Sequence, residues 1–356
     1  MRWEDIHIAG LGTHLPAPVS AEQARDEGRY PADEFDENQL LSALESDDMS
    51  AVDMAVAAGK QAMARSGRAA EDIGLVLHAA MYHQGEDFWT PASYVQRHTV
   101  AGTAPAIHVD HASNGGMAAL ELGASWLNGR PGTQAVLLTT GDRYALPGFD
   151  RWYSDSGQVF ADGATALVLS RGSGIARLLA SNSTSDPELE DAYRDVEGGF
   201  TLVPHPTGKP LDLRGRKSRY MKRVGKDFVV DRLVTGLLEN TERTLAEADT
   251  SMDHIARVVV PNVGRDLLEW EFLTPYKIDV DRTVWEWGRR TCHIGGGDQF
   301  AGLTHLLESG QLRPGDQVLV VGVGIGFSWT TAVVRVDEVP DWSGPDAGTL
   351  RVLDAV

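Results

Sequence analysis

Ser113 is the residue whose position most clearly suggests chemistry. It lies in the run from His108 to Met117, after residues 106–109, which are predicted to end a buried strand, and before an amphipathic helix predicted over 117–127. At the start of a helix, free backbone N–H groups and the helix dipole stabilise negative charge, including the oxyanion formed when a carbonyl is attacked. An ordinary N-cap serine is the alternative. The run lacks the first glycine of a Gly-x-Ser-x-Gly elbow, which disfavours an α/β-hydrolase.

The composition of the chain narrows the possible partners and locations. The 356 residues carry a formal net charge of −19, which repels nucleic acid and anionic membrane surfaces. No apolar run reaches membrane-spanning length, and the first residues show no signal-peptide pattern. Cys292 is the single cysteine, so an intramolecular disulfide is impossible. We expect a cytoplasmic protein with no nucleic-acid or membrane partner, and the histidine spacing predicts no metal site.

Two halves of the chain repeat one order of predicted elements. Residues 1–175 contain strands at 6–10, 74–80, 135–140 and 164–169 and helices at 53–66 and 117–128. Residues 176–356 contain helices at 227–247 and 299–308 and strands at 255–261, 317–321 and 331–336. The alternation predicts an α/β fold made of duplicated βαβαβ halves. Residues 184–224 show no clear period and are predicted to be an inserted loop, and residues 337–356 an irregular tail.

Several short segments resemble the ketosynthase III branch of the thiolase superfamily. Residues 160–169 are similar to its Phe-Gly-Asp-Gly-Ala strand entry, residues 324–329 to its C-terminal glycine loop, and Ala112-Ser113 to its Ala-Cys nucleophile position. The resemblance covers nearly all of residues 1–336. It implies a layered α/β/α/β/α core, a nucleophile in the N-terminal half, and a homodimer. It also implies acyl transfer from a coenzyme A or phosphopantetheinyl carrier-protein thioester without a permanently bound cofactor.

The departures from the family pattern change the expected catalytic residues. Condensing members use Cys, His and Asn, whereas this chain has Ser113, Asn262 and His293 at those positions. The arrangement is similar to a subset of natural-product acyltransferases with a His-x-x-x-x-Asp motif, which implies a triad of Ser113, His293 and Asp298. Histidine can deprotonate a serine, and a carboxylate can fix its tautomer. The three intervening glycines would let the segment fold back. A structural histidine and an N-capping aspartate are the alternatives.

Asn262 and the glycine loop complete the expected reaction site. An asparagine in the place of a histidine should weaken decarboxylative condensation and favour transfer to an oxygen or nitrogen acceptor. Asn262 itself could donate a hydrogen bond to the acceptor or the acyl carbonyl, or could be a turn residue. The expected oxyanion donors are the backbone N–H of Ser113 and one from Ile325 or Gly326.

Two further groups of residues are candidates for substrate contact. Phe88, Trp89 and Arg265 are candidate pocket residues. Phe88 and Trp89 could line the acyl pocket of their own chain, or that of a partner across a dimer interface, or could simply pack in the core. A basic stretch could dock coenzyme A or an acidic carrier-protein helix, or could merely balance acidic neighbours. It comprises Arg214, Arg216, Lys217, Arg219, Lys222, Arg223 and Lys226.

Three functions remain open at this stage. The first is an acyltransferase of polyketide-type antibiotic biosynthesis, which moves an acyl group through Ser113 to a small-molecule hydroxyl or amine or to a carrier protein. The second is a starter-unit condensing enzyme of the ketosynthase III type. The third is a non-catalytic subunit that binds carrier protein. The sequence does not identify the acyl group.

Overall fold

A computed structural model describes residues 1–200, 208–342, 344 and 347–354 of the chain. Its strands are β1 (Ile6–His14), β2 (Pro18–Ser20), β3 (Ser42–Leu44), β4 (Ile73–Ala79), β5 (Ala106–Val109), β6 (Ala135–Asp142), β7 (Gly163–Arg171), β8 (Ala176–Ser185), β9 (Ile255–Val259), β10 (Gln317–Gly324) and β11 (Ser328–Val336). Its α-helices are α1 (Ala21–Asp26), α2 (Ala32–Asn38), α3 (Ala51–Ser66), α4 (Pro91–Thr99), α5 (Gly115–Gly129), α6 (Leu213–Val224), α7 (Lys226–Glu247), α8 (Arg265–Leu268), α9 (Thr274–Tyr276), α10 (Trp285–Thr291), α11 (Asp298–Glu308) and α12 (Gly348–Asp354).

Nine of the strands form one mixed sheet in the order β5-β4-β6-β7-β1-β8-β11-β10-β9. In each half the last two strands are antiparallel to each other, and the last strand lies antiparallel beside the first, as in β6-β7-β1 and β10-β11-β8. On the outer side of each group, the next strand pairs in parallel: β4 pairs with β6, and β9 pairs with β10. A short β1–β8 pairing joins the halves. The same local connectivity therefore occurs twice, as the repeated sequence order predicts.

Helices cover both faces of this sheet and pass between its halves. Helix α3 packs on β1, β6 and β7, and α7 packs on β8 and β11. Helices α5 and α11 touch each other and contact strands of both halves. Along β6, Val136 and Leu138 belong to the cluster that includes α5, while the alternate residue Leu137 belongs to the cluster of α3. The layered thiolase-like α/β fold expected from the sequence is confirmed.

The structure corrects three local expectations. Strand β5 is at the sheet edge, and Ile107 in it is 44% exposed, so it is not a buried strand. The segment 184–224, of which residues 201–207 lie outside the described part, contains the end of β8, a 3-10 turn at Pro187–Ala192 and helix α6. The expected irregular tail contains α12, whose Val352 is buried in the main core.

Two helices carry clear sequence signals for their ends. Ser50 caps α3 by accepting a hydrogen bond from the backbone N–H of Asp53, and Gly67 ends that helix in the left-handed region. Asp212 caps α6 in the same way, accepting from the N–H of Gly215. Among the described residues, no helix is long and apolar enough to cross a membrane.

Candidate active site

Ser113 lies in a tight turn between a strand and a helix. Strand β5 ends at Val109, a 3-10 turn spans Ala112–Asn114, and α5 begins at Gly115. Ala112 has φ of +47°, which is unusual for a residue with a side chain and is a conformation often found at functional sites. The Ser113 hydroxyl is 2.8 Å from His293 Nε2 and also lies 3.7 Å from Met81 Sδ. The turn therefore presents the hydroxyl to a base 180 residues away in the chain.

Asp298 holds His293 from the opposite side of the ring. The distance from His293 Nδ1 to Asp298 Oδ2 is 2.6 Å, and both side chains are buried. Asp298 also accepts hydrogen bonds from the backbone N–H groups of Asn262 and Ile294, at 2.8 and 2.9 Å. Its oxygens are occupied by these three donors, so it is a buried acceptor rather than the cap of α11. The carboxylate selects the histidine tautomer with its proton on Nδ1, which leaves Nε2 free to accept from Ser113.

Glycines let the backbone between His293 and Asp298 reverse direction. Residues Gly295–Gly297 form a 3-10 turn, and Gly295 has φ of +70°, a conformation that favours glycine. A Cβ at Gly295 would lie 2.4 Å from Asp142 Oδ2, so the space is also closed to a side chain. The fold-back predicted from the three glycines is what the backbone shows.

The surroundings of His293 set its proton affinity. Burial alone would lower the pKa of the imidazole, but Asp298, together with Asp142 and Asp155, raises the pKa above its ordinary value. Burial raises the pKa of the neighbouring Cys292 thiol, which donates to the Ser42 carbonyl oxygen at 3.0 Å. Cys292 is fully buried and therefore has the environment of an inert structural thiol.

A cavity of about 420 Å³ connects this site to the surface. Ser113 and His293 line it, and the exposed residues Glu37, Lys226 and Asp266 mark its opening. Helix α6 supplies Lys217, Tyr220 and Met221 to its wall, while α7 and the π-helical turn Glu269–Leu273 supply further lining residues. The segment expected to be an inserted loop thus forms part of the cavity wall.

Asn262 does not reach the cavity with its side chain. Its amide nitrogen donates to Thr291 Oγ1 at 3.1 Å and to the Cys292 carbonyl oxygen at 3.2 Å. Both amide hydrogens are used, so the expected hydrogen bond to an acceptor or acyl carbonyl is not available. Its backbone N–H instead holds Asp298, which gives it a positioning role for the carboxylate.

The glycine loop approaches Ser113, as expected for an oxyanion site. Val323, Gly324 and Ile325 line the cavity together with Ser113, whereas Gly326 does not. A Cβ on Gly324 would lie 2.9 Å from the Asn114 nitrogen, so this loop packs directly on the nucleophile turn. The backbone N–H groups of Ser113 and Ile325 remain the candidate oxyanion donors.

The candidate pocket residues are found elsewhere. Phe88 is fully exposed, Trp89 is 40% exposed, and neither lines the cavity. Phe88 therefore does not pack in the core, so that alternative is wrong. Neither ring lies in the pocket of its own chain. Arg265 also lies outside the lining, and its guanidinium is 2.9 Å from Glu269 Oε2.

Most of the basic stretch is neutralised by acidic neighbours. Arg214 pairs with Glu34, Lys217 with Asp155 and Arg223 with Asp191. Arg219 is 3.9 Å from Asp212, and Arg216 donates to the Tyr193 carbonyl oxygen. Within the described part of the chain, Lys222 and Lys226 are the members of this stretch with no hydrogen-bond or ion-pair partner. The candidate docking surface is therefore reduced to these two exposed lysines.

Asp142 is a site residue that the sequence reasoning missed. It is fully buried, and its Oδ1 accepts from the backbone N–H groups of Met81 and Tyr82, each at 2.9 Å. Burial raises its pKa to about 8, and its ionised form raises the pKa of His293. A carboxylate at the end of the predicted strand 135–140 was the available signal, since polar residues at strand ends commonly serve sites.

Comparisons with known proteins agree with this architecture. A family model for the C-terminal part of 3-oxoacyl-[acyl-carrier-protein (ACP)] synthase III matches residues 245–336. The beta-ketoacyl-[acyl-carrier-protein] synthase III 2 of Vibrio vulnificus (strain CMCP6) is 26% identical over 341 residues, which cover 92% of this chain and 87% of the relative. The corresponding synthase III of Bacillus pumilus (strain SAFR-032) is 25% identical, with 92% and 98% covered.

Solved structures give the stronger match. The structure named ChlB3 [Aceyltransferase] is 36% identical, has a TM-score of 0.90, and covers 96% of this chain and 100% of its own. The synthase III of Pseudomonas aeruginosa PAO1 has a TM-score of 0.76 at 20% identity, with 95% and 100% covered, and supports the fold alone. The chain therefore belongs to the ketosynthase III-like family of the thiolase superfamily, a family of transferases.

Proposed function

We propose that this protein is an acyltransferase of natural-product assembly that carries the acyl group on Ser113. The observation that carries the proposal is the chain of contacts from Ser113 Oγ to His293 Nε2, at 2.8 Å, and from His293 Nδ1 to Asp298 Oδ2, at 2.6 Å. Ser113 and His293 both line the cavity, so the reacting atoms are accessible from it. The name of the 36% identical relative, an acyltransferase, supports the same class of reaction.

The geometry suggests a two-step reaction. In the first step His293 Nε2 takes the Ser113 proton as Oγ attacks the thioester carbonyl, and the proton passes to the departing thiolate sulfur. In the second step His293 takes the proton of the acceptor hydroxyl or amine, which attacks the serine ester. The ester bond to Oγ then breaks, and the proton returns to Ser113. Asp298 stabilises the imidazolium formed in both steps.

The thioester donor would be presented by acyl carrier protein or coenzyme A. Lys226 lies at the cavity opening, and Lys222 is exposed on the helix that lines the cavity. Two unpaired cations there suit the phosphate of a phosphopantetheine arm that inserts into the cavity. The net charge of −19 makes such a local basic site necessary for an acidic partner.

A homodimer is part of the proposal. Strand β5 is the last strand of the sheet at one edge, and Ile107 in it is 44% exposed. An exposed edge strand offers unpaired backbone groups to a second copy of the chain. Phe88 is fully exposed in the single chain and is therefore free to contact a second copy.

Decarboxylative condensation is the second candidate, because the curated relatives are named synthase III. It requires hydrogen-bond donors for an enolate, and the Asn262 amide is already used by Thr291 Oγ1 and the Cys292 carbonyl. Incubation with malonyl carrier protein separates the candidates, since only condensation releases carbon dioxide and a β-ketoacyl product. A non-catalytic subunit, the third candidate, predicts that Ser113→Ala leaves pathway output unchanged.

The test of the proposed function is intact-mass measurement after mixing the protein with a panel of acyl-coenzyme A and acyl-carrier-protein thioesters. We expect a mass gain equal to one acyl group in the parent protein and none in Ser113→Ala. Comparison of labelling by the coenzyme A thioesters with labelling by the carrier-protein thioesters identifies which carrier delivers the acyl group. Labelling that persists in Ser113→Ala, or no labelling of the parent by any donor, would count against the proposal.

A further inference from the structure

Glu271 is a carboxyl group in the wall of the substrate cavity with no partner of its own. It lies in the π-helical turn Glu269–Leu273, and three successive residues of that turn, Trp270, Glu271 and Phe272, line the cavity. Such π-helical turns are rare and frequently occur at functional sites, because the wider turn redirects side chains. Among the described residues, Glu271 has no hydrogen bond or ion pair. The same cavity is also lined by the apolar side chains Val229, Leu233 and Leu267.

The nearest cation does not neutralise Glu271. Lys217 lines the same cavity, but its Nζ is 2.8 Å from Asp155 Oδ1 and 2.7 Å from the Ser156 carbonyl oxygen. Asp155 is buried and also accepts from Gln158 Nε2 at 2.7 Å, so Lys217 and Asp155 form a closed pair. Burial therefore dominates over Lys217 and raises the pKa of Glu271 to about 7. A partly desolvated carboxyl that lacks a partner gains most from a donor or cation brought by a ligand.

We propose that Glu271 is a specificity-determining residue that binds a protonated amine of the acceptor, so that the acceptor is an amino alcohol. The inference rests on the proposed function. A protonated amine has no lone pair and cannot attack the ester, so it serves as a binding group. The attacking atom is a hydroxyl oxygen elsewhere in the same molecule. Its proton goes to His293 Nε2, its oxygen bonds to the acyl carbon, and the bond from that carbon to Ser113 Oγ breaks.

The charge of the cavity opening is consistent with a cationic acceptor. Glu37 and Asp266 line the opening, and neither has an ion-pair partner in the described part of the chain. Lys226 is the one unpaired cation in the described lining. An ammonium group would thus pass two unpaired carboxylates at the opening before it reaches the partly buried carboxylate of Glu271.

The test uses the enzyme already acylated on Ser113 and three acceptors that share a trans-1,4-disubstituted cyclohexane ring with a hydroxyl group at one position. The acceptors are trans-4-aminocyclohexanol, trans-cyclohexane-1,4-diol and trans-4-hydroxycyclohexanecarboxylate, which differ in the charge opposite the hydroxyl. At pH 8 the amine is protonated, since alkylamines titrate near ~10. We expect the amino alcohol to discharge the wild-type acyl-enzyme about tenfold faster than the diol, the size of one charge-assisted hydrogen bond. We expect Glu271→Gln to lose that preference and Glu271→Lys to favour the carboxylate.

The matched control is Glu269→Gln, which changes an exposed carboxyl in the same π-helical turn that pairs with Arg265 and does not line the cavity. It should keep the wild-type preference. Equal rates with the amino alcohol and the diol in the wild type, or an unchanged preference in Glu271→Gln, would overturn the proposal. Formation of the acyl-enzyme is measured first in every variant, so a failure of the proposed function appears there and not in the acceptor ratio.

Discussion

His293 is a buried base whose proton affinity depends on the carboxylate behind it. Burial lowers its pKa, while Asp298, with contributions from Asp142 and Asp155, raises it, and the net shift is upward. An imidazole with a raised pKa is neutral, and able to take the Ser113 proton, only above that pKa. The acylation rate should therefore fall as the pH drops through a value above 6.5, the ordinary pKa of histidine.

We predict that Asp298→Asn moves this acid limb of acylation to lower pH and lowers the maximal rate by roughly 10³–10⁴-fold. Without the carboxylate, burial lowers the imidazole pKa, and the tautomer with a proton on Nδ1 is no longer selected. The measurement is the pre-steady-state rate of acyl-enzyme formation from pH 5 to 9. An acid limb at the same pH in both proteins would show that Asp298 does not control His293.

Residue identity could be taken from the sequence more readily than side-chain direction. Ser113, His293 and Asp298 were selected from residue type, glycine spacing and family resemblance, and the structure brings all three together. Asn262 and Arg265 were selected in the same way, yet their side chains turn to the Cys292 carbonyl and to Glu269. A hydrogen bond to a backbone carbonyl leaves no mark on the sequence pattern, so these directions require coordinates.

At the scale of elements, the site depends on a close approach between α5 and the loop from His293 to Asp298. A Cβ on Gly116 would lie 2.2 Å from the Gly296 carbonyl oxygen, which belongs to the backbone and cannot rotate away as a flexible side chain can. Gly116 follows Ser113 by three residues, and Gly296 lies between His293 and Asp298. Contact between these two glycines thus fixes the distance between nucleophile and base.

We predict that Gly116→Ala lowers the acylation rate by at least about 10²-fold, because a shift near 1 Å between reacting groups has that effect. The control is Gly129→Ala at the far end of the same helix, where a Cβ meets nothing within 4 Å. Circular dichroism should show both variants folded, and intact-mass time courses give the rates. Equal rates for the two alanine variants would contradict the role assigned to the contact.

Helix α6 shows why one element escaped sequence prediction. Of its residues, Leu213 and Tyr220 are buried, and most of the remainder are charged or polar. A segment this poor in apolar residues is easily taken for a loop, although two buried residues mark one face and Asp212 provides a recognisable N-cap. The regular halves were predicted closely because their elements are rich in apolar residues, as in the helix expected at 299–308 and found at Asp298–Glu308.

At the scale of the whole molecule, the nine-stranded sheet ends in an exposed strand. We predict that the protein is a dimer in solution and that Ile107→Lys in β5 shifts it toward monomer, since a charged edge strand resists pairing. The control is Leu353→Lys in α12, where the side chain is 38% exposed and the strand edge is untouched. Sedimentation velocity distinguishes the species. A monomeric wild type, or dissociation by both substitutions alike, would contradict pairing through β5.

The single thiol offers a practical consequence. Cys292 is completely buried, and its hydrogen bond to Ser42 and raised pKa keep it protonated. Iodoacetamide should leave the native protein unmodified and fully active, and should add one carbamidomethyl group after unfolding in urea, as mass spectrometry would show. Alkylation of the folded protein would contradict this. In a mixed extract, such treatment would inactivate condensing enzymes that rely on a reactive cysteine and spare this serine-bearing relative.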